Sequence, residues 1–145
     1  MKNPSIKFLK GDLLKAFDKG KFDCIAHQCN TLLASEHCGG IAKIIFGKYA
    51  NVALTNNLRI KNGEYNTELL GNISYGYVVI DNCIGTVFNL YSQHKPGSPS
   101  NGIDSLECRL SYLKESLYRI RDVIRKEGLK TLGIPLIASG LAKHI

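Results

Sequence analysis

Between residues 106 and 127 the chain carries its most demanding pattern: Leu106, Leu110, Leu113, Leu117, Ile120 and Ile124 recur at spacings of 4, 3, 4, 3 and 4. Apolar residues at that spacing form one stripe along an α-helix, and the stripe has to be covered by another layer. Asp104 or Ser105 can cap the start of this helix, and Gly128 ends it in the C′ position. Just upstream, GNISYGYVVIDNCIGTVFNLYS (71–92) is rich in β-branched and aromatic residues, with Asp81-Asn82 as a turn signal before Gly85. It reads as a strand, a tight turn and a second strand. Downstream, LGIPLI (132–137) reads as a strand in which Pro135 argues against pairing on both sides throughout. Towards the N-terminus, Ile6 and Phe8 alternate with lysines in a short strand closed by Gly11-Asp12, and FDCIA (22–26) has the continuous apolar character of a buried parallel strand. Residues 41–58 hold a helical pattern, with a break expected at Gly47. Strands alternating with helices predict an α/β layered fold with a mixed sheet.

The length of 145 residues suits one domain, and no repeat, linker or low-complexity segment divides it. No apolar run approaches the ~20 residues that cross a bilayer, so no membrane partner is expected. The N-terminus MKNPSIKFLKGD lacks the apolar core of a signal peptide, which makes a cytoplasmic location the expectation. Five cysteines without an export signal predict reduced thiols. The net charge of +7, from 19 Lys+Arg against 12 Asp+Glu, favours anionic partners such as nucleotides and phosphorylated metabolites. Its densest cluster, Arg119, Arg121, Arg125, Lys126 and Lys130, reads as the solvated face of the long helix. A charge run without interleaved aromatics argues against nucleic acid as the partner.

The stretch CIAHQCNTLLASEHCGG (24–40) concentrates three cysteines and two histidines. Their spacing does not match the paired ligand knuckles of a structural zinc site, and no C-x-x-C redox pair is present. Cys24 lies in an apolar strand and reads as a small core residue; neither a metal nor a cofactor is expected. An anion site fits better. Gly39-Gly40 directly precedes the helical IAKII, where glycines bring backbone N–H groups and the helix dipole to a phosphate. Ser139-Gly140-Leu141-Ala142 follows a strand, the place where α/β folds carry ligand loops. Two such loops can clamp a diphosphate from both sides.

The ordered set Gly11-Asp12-Leu13, Ile25-Ala26-His27-Gln28-Cys29-Asn30, Gly39-Gly40-Ile41-Ala42, Phe88-Asn89-Leu90, Ile134-Pro135 and Ser139-Gly140-Leu141-Ala142 resembles a macrodomain over essentially the whole chain. The resemblance implies a three-layer α/β/α sandwich with a mixed sheet that binds ADP-ribose or its derivatives. Members of the family usually continue past the second loop with a further helix and strand. A chain ending in GLAKHI is therefore expected to be a single macrodomain, residues 1–145, shortened at its C-terminus. By the same resemblance Asp12, next to Leu13, accepts from the adenine amino group, and Asn30 holds the distal ribose. Gly39, Gly40, Ile41 and Ala42 form the first phosphate loop, and Ser139, Gly140, Leu141 and Ala142 the second. Asp12 is equally placed to cap a helix, and one residue can do both.

Two de-ADP-ribosylating branches of the family rely on residues absent here: Ala42, Gln93 and Ala142 stand where those branches carry their catalytic aspartates and lysine. The His27-x-Cys29-Asn30 stretch is instead similar to the branch that hydrolyses ADP-ribose 1″-phosphate to ADP-ribose and phosphate. His27 with Asn30 would be its catalytic pair, with Gln93 and His94 lining the distal pocket. The alternatives are a non-catalytic module that binds or sequesters ADP-ribose, an ADP-ribosyl hydrolase, and a His27 held by hydrogen bonds in the core. Strict alternation puts His27 and Asn30 on opposite faces of a strand, so the chain must leave strand geometry after Ala26 or Gln28 for both to meet one ligand.

Overall fold

The computed structural model describes residues 9–135. Four strands, β1 (Cys24–Asn30), β2 (Ile73–Ile80), β3 (Cys83–Gln93) and β4 (Leu132–Gly133), form one sheet in the order β2-β3-β1-β4. β2 and β3 pair antiparallel, whereas β1 runs parallel to both β3 and β4, so the sheet is mixed. The helices are α1 (Leu13–Asp18), α2 (Gly40–Lys48), α3 (Ala50–Asn57) and α4 (Leu106–Glu127).

Strand alternation sorts the core into two halves. Ile25, Cys29, Val87 and Tyr91 pack on one face with Phe17 of α1, Ile45 and Phe46 of α2 and Val52 of α3. Cys24, Ala26, Phe88 and Leu90 pack on the other with Leu113 and Ile120 of α4. The result is the expected three-layer α/β/α arrangement. The apolar stripe of α4 is what closes the second half. Ser105 is its N-cap, accepting from the Cys108 N–H at 3.2 Å, and Gly128 ends it with φ of 68°. The hairpin turn is also as its residues require: Asp81 and Asn82 adopt φ of 47° and 65°, the pair of left-handed residues that a tight two-residue turn needs.

Three features differ from the sequence expectation, each for a physical reason. β1 extends beyond the apolar run to Asn30, because polar His27 and Gln28 find partners on β3 in Asn89 and Ser92. α2 passes through Gly47 and breaks two residues later at Tyr49, whose backbone turns to φ −120° and ψ 92°. There the ring is drawn into the core, edge-on to Phe17 with centroids 6.1 Å apart, and its hydroxyl donates to Asp18 Oδ1 at 3.0 Å. β4 covers Leu132–Gly133 of the expected strand and stops before Ile134 and Pro135, whose ring nitrogen has no N–H to pair; Leu136 and Ile137 lie outside the described residues. The expected strand at Ile6 and Phe8 lies outside the described residues.

Gly76 sets the distance between β2 and α3. A Cβ there would sit 3.2 Å from backbone atoms of Asn51 and Val52, which cannot move without shifting the helix. Gly76→Val is therefore expected to lower stability by about 1–3 kcal/mol, measured as a reduced urea midpoint at unchanged m-value.

Candidate functional site

A cleft of about 740 Å³ opens at the C-terminal ends of β1 and β3, where parallel strands place ligands in α/β folds. One wall is the turn Gly39-Gly40 with Ile41 and Ala42 at the start of α2. The opposite wall is the 96–99 segment after β3 with Leu113 and Leu117 of α4, and Gln28, Asn30 and Gln93 lie between them.

The glycine turn is built to stay open. Asp12 caps α1 and Ser105 caps α4 with side-chain oxygens, but no side chain caps α2, whose N-cap is Gly39. The amides of the first turn of a helix have no intrahelical acceptor. Gly40 has φ of 59°, a left-handed conformation that favours glycine, and among the described residues a Cβ on Gly39 or Gly40 would meet nothing within 4 Å. Backbone N–H groups and the positive end of the α2 dipole thus face the cleft with no side-chain cap among the described residues.

Asn30 reaches the cleft through a break in the strand. β1 holds its register through Cys29; the shift falls between Cys29 and Asn30, placing Asn30 opposite Gln93. Departure from strand geometry therefore comes later than Ala26 or Gln28. The Asn30 Oδ1 accepts from the N–H groups of Leu32 and Leu33, each at 2.9 Å, which fixes the side chain and leaves its NH₂ for a ligand.

His27 is placed differently. It points to the α2 face, has no exposed surface, and lies edge-on to Phe46 with ring centroids 5.3 Å apart. Its Nε2 donates to Asn89 Oδ1 at 2.6 Å. Asn89 Nδ2 donates to Ser74 Oγ at 3.0 Å and Thr55 Oγ1 at 3.3 Å. Ser74 Oγ lies 2.7 Å from the Tyr91 hydroxyl, which donates to Asn56 Oδ1 at 2.9 Å. The imidazole backs the cleft wall but is one end of a buried polar chain between sheet and α3. Burial lowers its pKa from 6.5 to about 4, with the Asn89 bond recovering only part of the loss.

That shift makes stability depend on pH. The neutral ring is preferred in the folded chain, so the unfolded chain takes up a proton first as pH falls. The contribution is fully present above pH 6.5 and is lost towards pH 4, on the order of 3 kcal/mol in all. Urea titrations across that range should show the decline, and His27→Gln should flatten it.

The remaining expected site residues divide as follows. Ile41, Ala42 and Gln93 line the cleft. Asp12 is exposed and its Oδ1 caps α1, accepting from Leu14 and Lys15 N–H at 2.9 and 3.2 Å; Leu13 packs against the core, and neither residue lines the cleft. His94 does not line it either. Its ring stacks on Tyr65 at 4.0 Å, while its N–H donates to Asp104 and its carbonyl accepts from Thr31. Ser139, Gly140, Leu141 and Ala142 lie outside the described residues. Cys24 and Cys29 point to opposite faces of the sheet and cannot share an ion. Among the described residues no three His, Cys, Asp or Glu side chains cluster as a metal site would require.

Arg109, which lines the cleft, was not singled out from the sequence. It is 2% exposed and gripped by Asp104 through Nε–Oδ1 at 3.0 Å and Nη2–Oδ2 at 2.8 Å. Burial raises the Asp104 carboxyl, but the guanidinium and the His94 amide outweigh it and hold the pKa below its ordinary value. The available signal was position: three residues from Leu106 and four from Leu113, Arg109 falls on the apolar stripe itself.

No protein-family model matches the sequence, and no curated protein is detectably similar to it. Solved structures are. The macrodomain of Mycobacterium tuberculosis DarG superposes with a TM-score of 0.66 at 20% identity, covering 97% of this chain and 81% of that one. The macrodomain of Thermus aquaticus DarG gives a TM-score of 0.65 at 16% identity, over 92% and 78%. Thermosipho africanus DarTG in complex with ADP-ribose gives 0.61 at 15% identity, over 92% of this chain and 33% of that one, so the chain spans about a third of its length. Sheet order, layering and these superpositions agree: this chain has the macrodomain fold.

Proposed function

We propose that the cleft binds ADP-ribose or a close derivative, and that it does so as a binding site rather than through catalysis by His27. The observation that carries this reading is the uncapped Gly39-Gly40 turn opening into the same cleft as the fixed amide of Asn30. Backbone donors at a helix N-terminus suit a diphosphate, and a primary amide suits the vicinal hydroxyls of a ribose. The net charge of +7 favours such an anion, and a protein of the same fold, DarTG, has been solved with ADP-ribose bound. Ser139, Gly140, Leu141 and Ala142 would supply the second phosphate loop. Asp12 stands outside the cleft lining, so it would meet the adenine, through Oδ2, where the base extends past the cleft to the start of α1, its Oδ1 being committed to the cap.

Hydrolysis of ADP-ribose 1″-phosphate is the finer activity to test. It requires an acid, base or nucleophile that reaches the terminal phosphate. His27 is sealed from solvent, neutral at pH 7 and donating to Asn89, which suits a wall residue better than a catalyst. Phosphate release from ADP-ribose 1″-phosphate, measured for the wild type and folded His27→Gln, separates the two roles. Equal rates per folded molecule are expected. A wild-type rate abolished in folded His27→Gln would restore the imidazole to catalysis.

A further inference from the structure

Arg109 does more than neutralise Asp104. Besides the carboxylate, its Nη1 donates to the Gly97 carbonyl at 2.8 Å, and Nη2 donates to the carbonyls of Lys95 at 3.2 Å and Ser98 at 3.1 Å. One buried side chain thus gathers three carbonyls of a five-residue segment whose residues 96–99 line the cleft. In a trans peptide the C=O and N–H point in opposite directions, and none of these peptides is cis. Turning a carbonyl towards Arg109 therefore turns the following N–H away from it. Two of those following residues are Pro96 and Pro99, which have no N–H. The remaining one is Ser98, whose N–H takes no partner among the described residues. Three of the segment's five carbonyls, acceptors that would repel phosphoryl oxygens, are thus held by the guanidinium, and the Ser98 N–H is directed away from it between the two proline rings.

We propose that Arg109 is a positioning residue that holds the Lys95, Gly97 and Ser98 carbonyls of the 95–99 segment, so that the Ser98 N–H meets a phosphoryl oxygen of the nucleotide in the cleft. This rests on the ADP-ribose reading above and adds to it a third donor wall, opposite the Gly39-Gly40 turn. The planar five-donor fork of arginine is needed for the grip, since a lysine ammonium offers three donors from one point.

The test compares ADP-ribose, which carries phosphoryl groups, with adenosine, which does not, on the wild type, Arg109→Lys and Ser98→Pro. The latter deletes the N–H without touching the guanidinium. Both substitutions should weaken ADP-ribose binding about tenfold or more, the effect of losing a hydrogen bond to a charged group, and leave adenosine affinity within about twofold. In the wild type the Ser98 amide proton should move downfield on adding ADP-ribose. If Arg109→Lys loses the fold, Ser98→Pro and the amide shift carry the test. Wild-type binding that persists unchanged in Ser98→Pro with no Ser98 shift overturns the positioning role alone, as does an equal loss of ADP-ribose and adenosine in folded Arg109→Lys. A wild type that binds no ADP-ribose overturns the underlying reading as well.

Discussion

Replacing Asp104 with leucine is expected to destabilise the protein by about 3–5 kcal/mol, the cost of removing one partner from a buried ion pair. Asp104 and Arg109 are each 2% exposed, and the two-pronged contact between them is the only carboxylate contact of the guanidinium among the described residues. With the carboxylate gone, a full positive charge remains in the core with three carbonyls for company. The His94 N–H and Ser100 Oγ lose their acceptor as well. Urea unfolding of Asp104→Leu checks this directly, and a change below about 1 kcal/mol would show that the pair is dispensable. Adding Arg109→Leu should recover part of the loss, because an apolar pair leaves no stranded charge. Acid should act in the same direction. The depressed Asp104 carboxyl contributes stability above the ordinary carboxylate range, and that contribution is lost as pH falls through its folded value.

The second large effect is on binding. Gly40→Val is expected to reduce ADP-ribose affinity at least about a hundredfold while costing the fold only about 1–3 kcal/mol. A β-branched residue is strained at φ of 59°, and its methyl groups would project where no atom of the described residues now lies within 4 Å. Gly20→Val is the control. Gly20 also has a positive φ, of 76°, and open surroundings, but it lies at the end of α1 and does not line the cleft. Similar strain with unchanged affinity there would tie the Gly40 effect to the ligand.

Much of the layering could be read in advance because local chemistry and tertiary structure agree. The Leu/Ile stripe of α4, its Ser105 and Gly128 ends, and the Asp81-Asn82 turn each take one conformation for reasons internal to a short segment. The start of α2 at Gly39-Gly40 was legible for the same reason. Placement of side chains at the strand end was not. Whether His27 faces ligand or core depends on where β1 loses its register, and that is decided by pairing with β3, some sixty residues away. Asn89 passed as part of a motif, yet it is the acceptor that commits His27 to the interior. His94, next to the cleft residue Gln93, is turned aside by contacts to Tyr65, Thr31 and Asp104 that come from three separate segments. Arg109 was hidden because a charged residue in an amphipathic helix reads as solvated until its partners are known. Gly47 shows the converse: a residue able to break a helix does not do so when a neighbouring tyrosine has the stronger pull into the core.

The most direct measurement is a calorimetric titration of the full chain with ADP-ribose, in parallel with Asn30→Ala and Gly40→Val. Saturable one-to-one binding by the wild type, weakened in Asn30→Ala and lost in Gly40→Val with both variants still folded, is the expected result. A wild type that is folded and gives no binding, or affinity that both substitutions leave unchanged, would contradict recognition of ADP-ribose in this cleft.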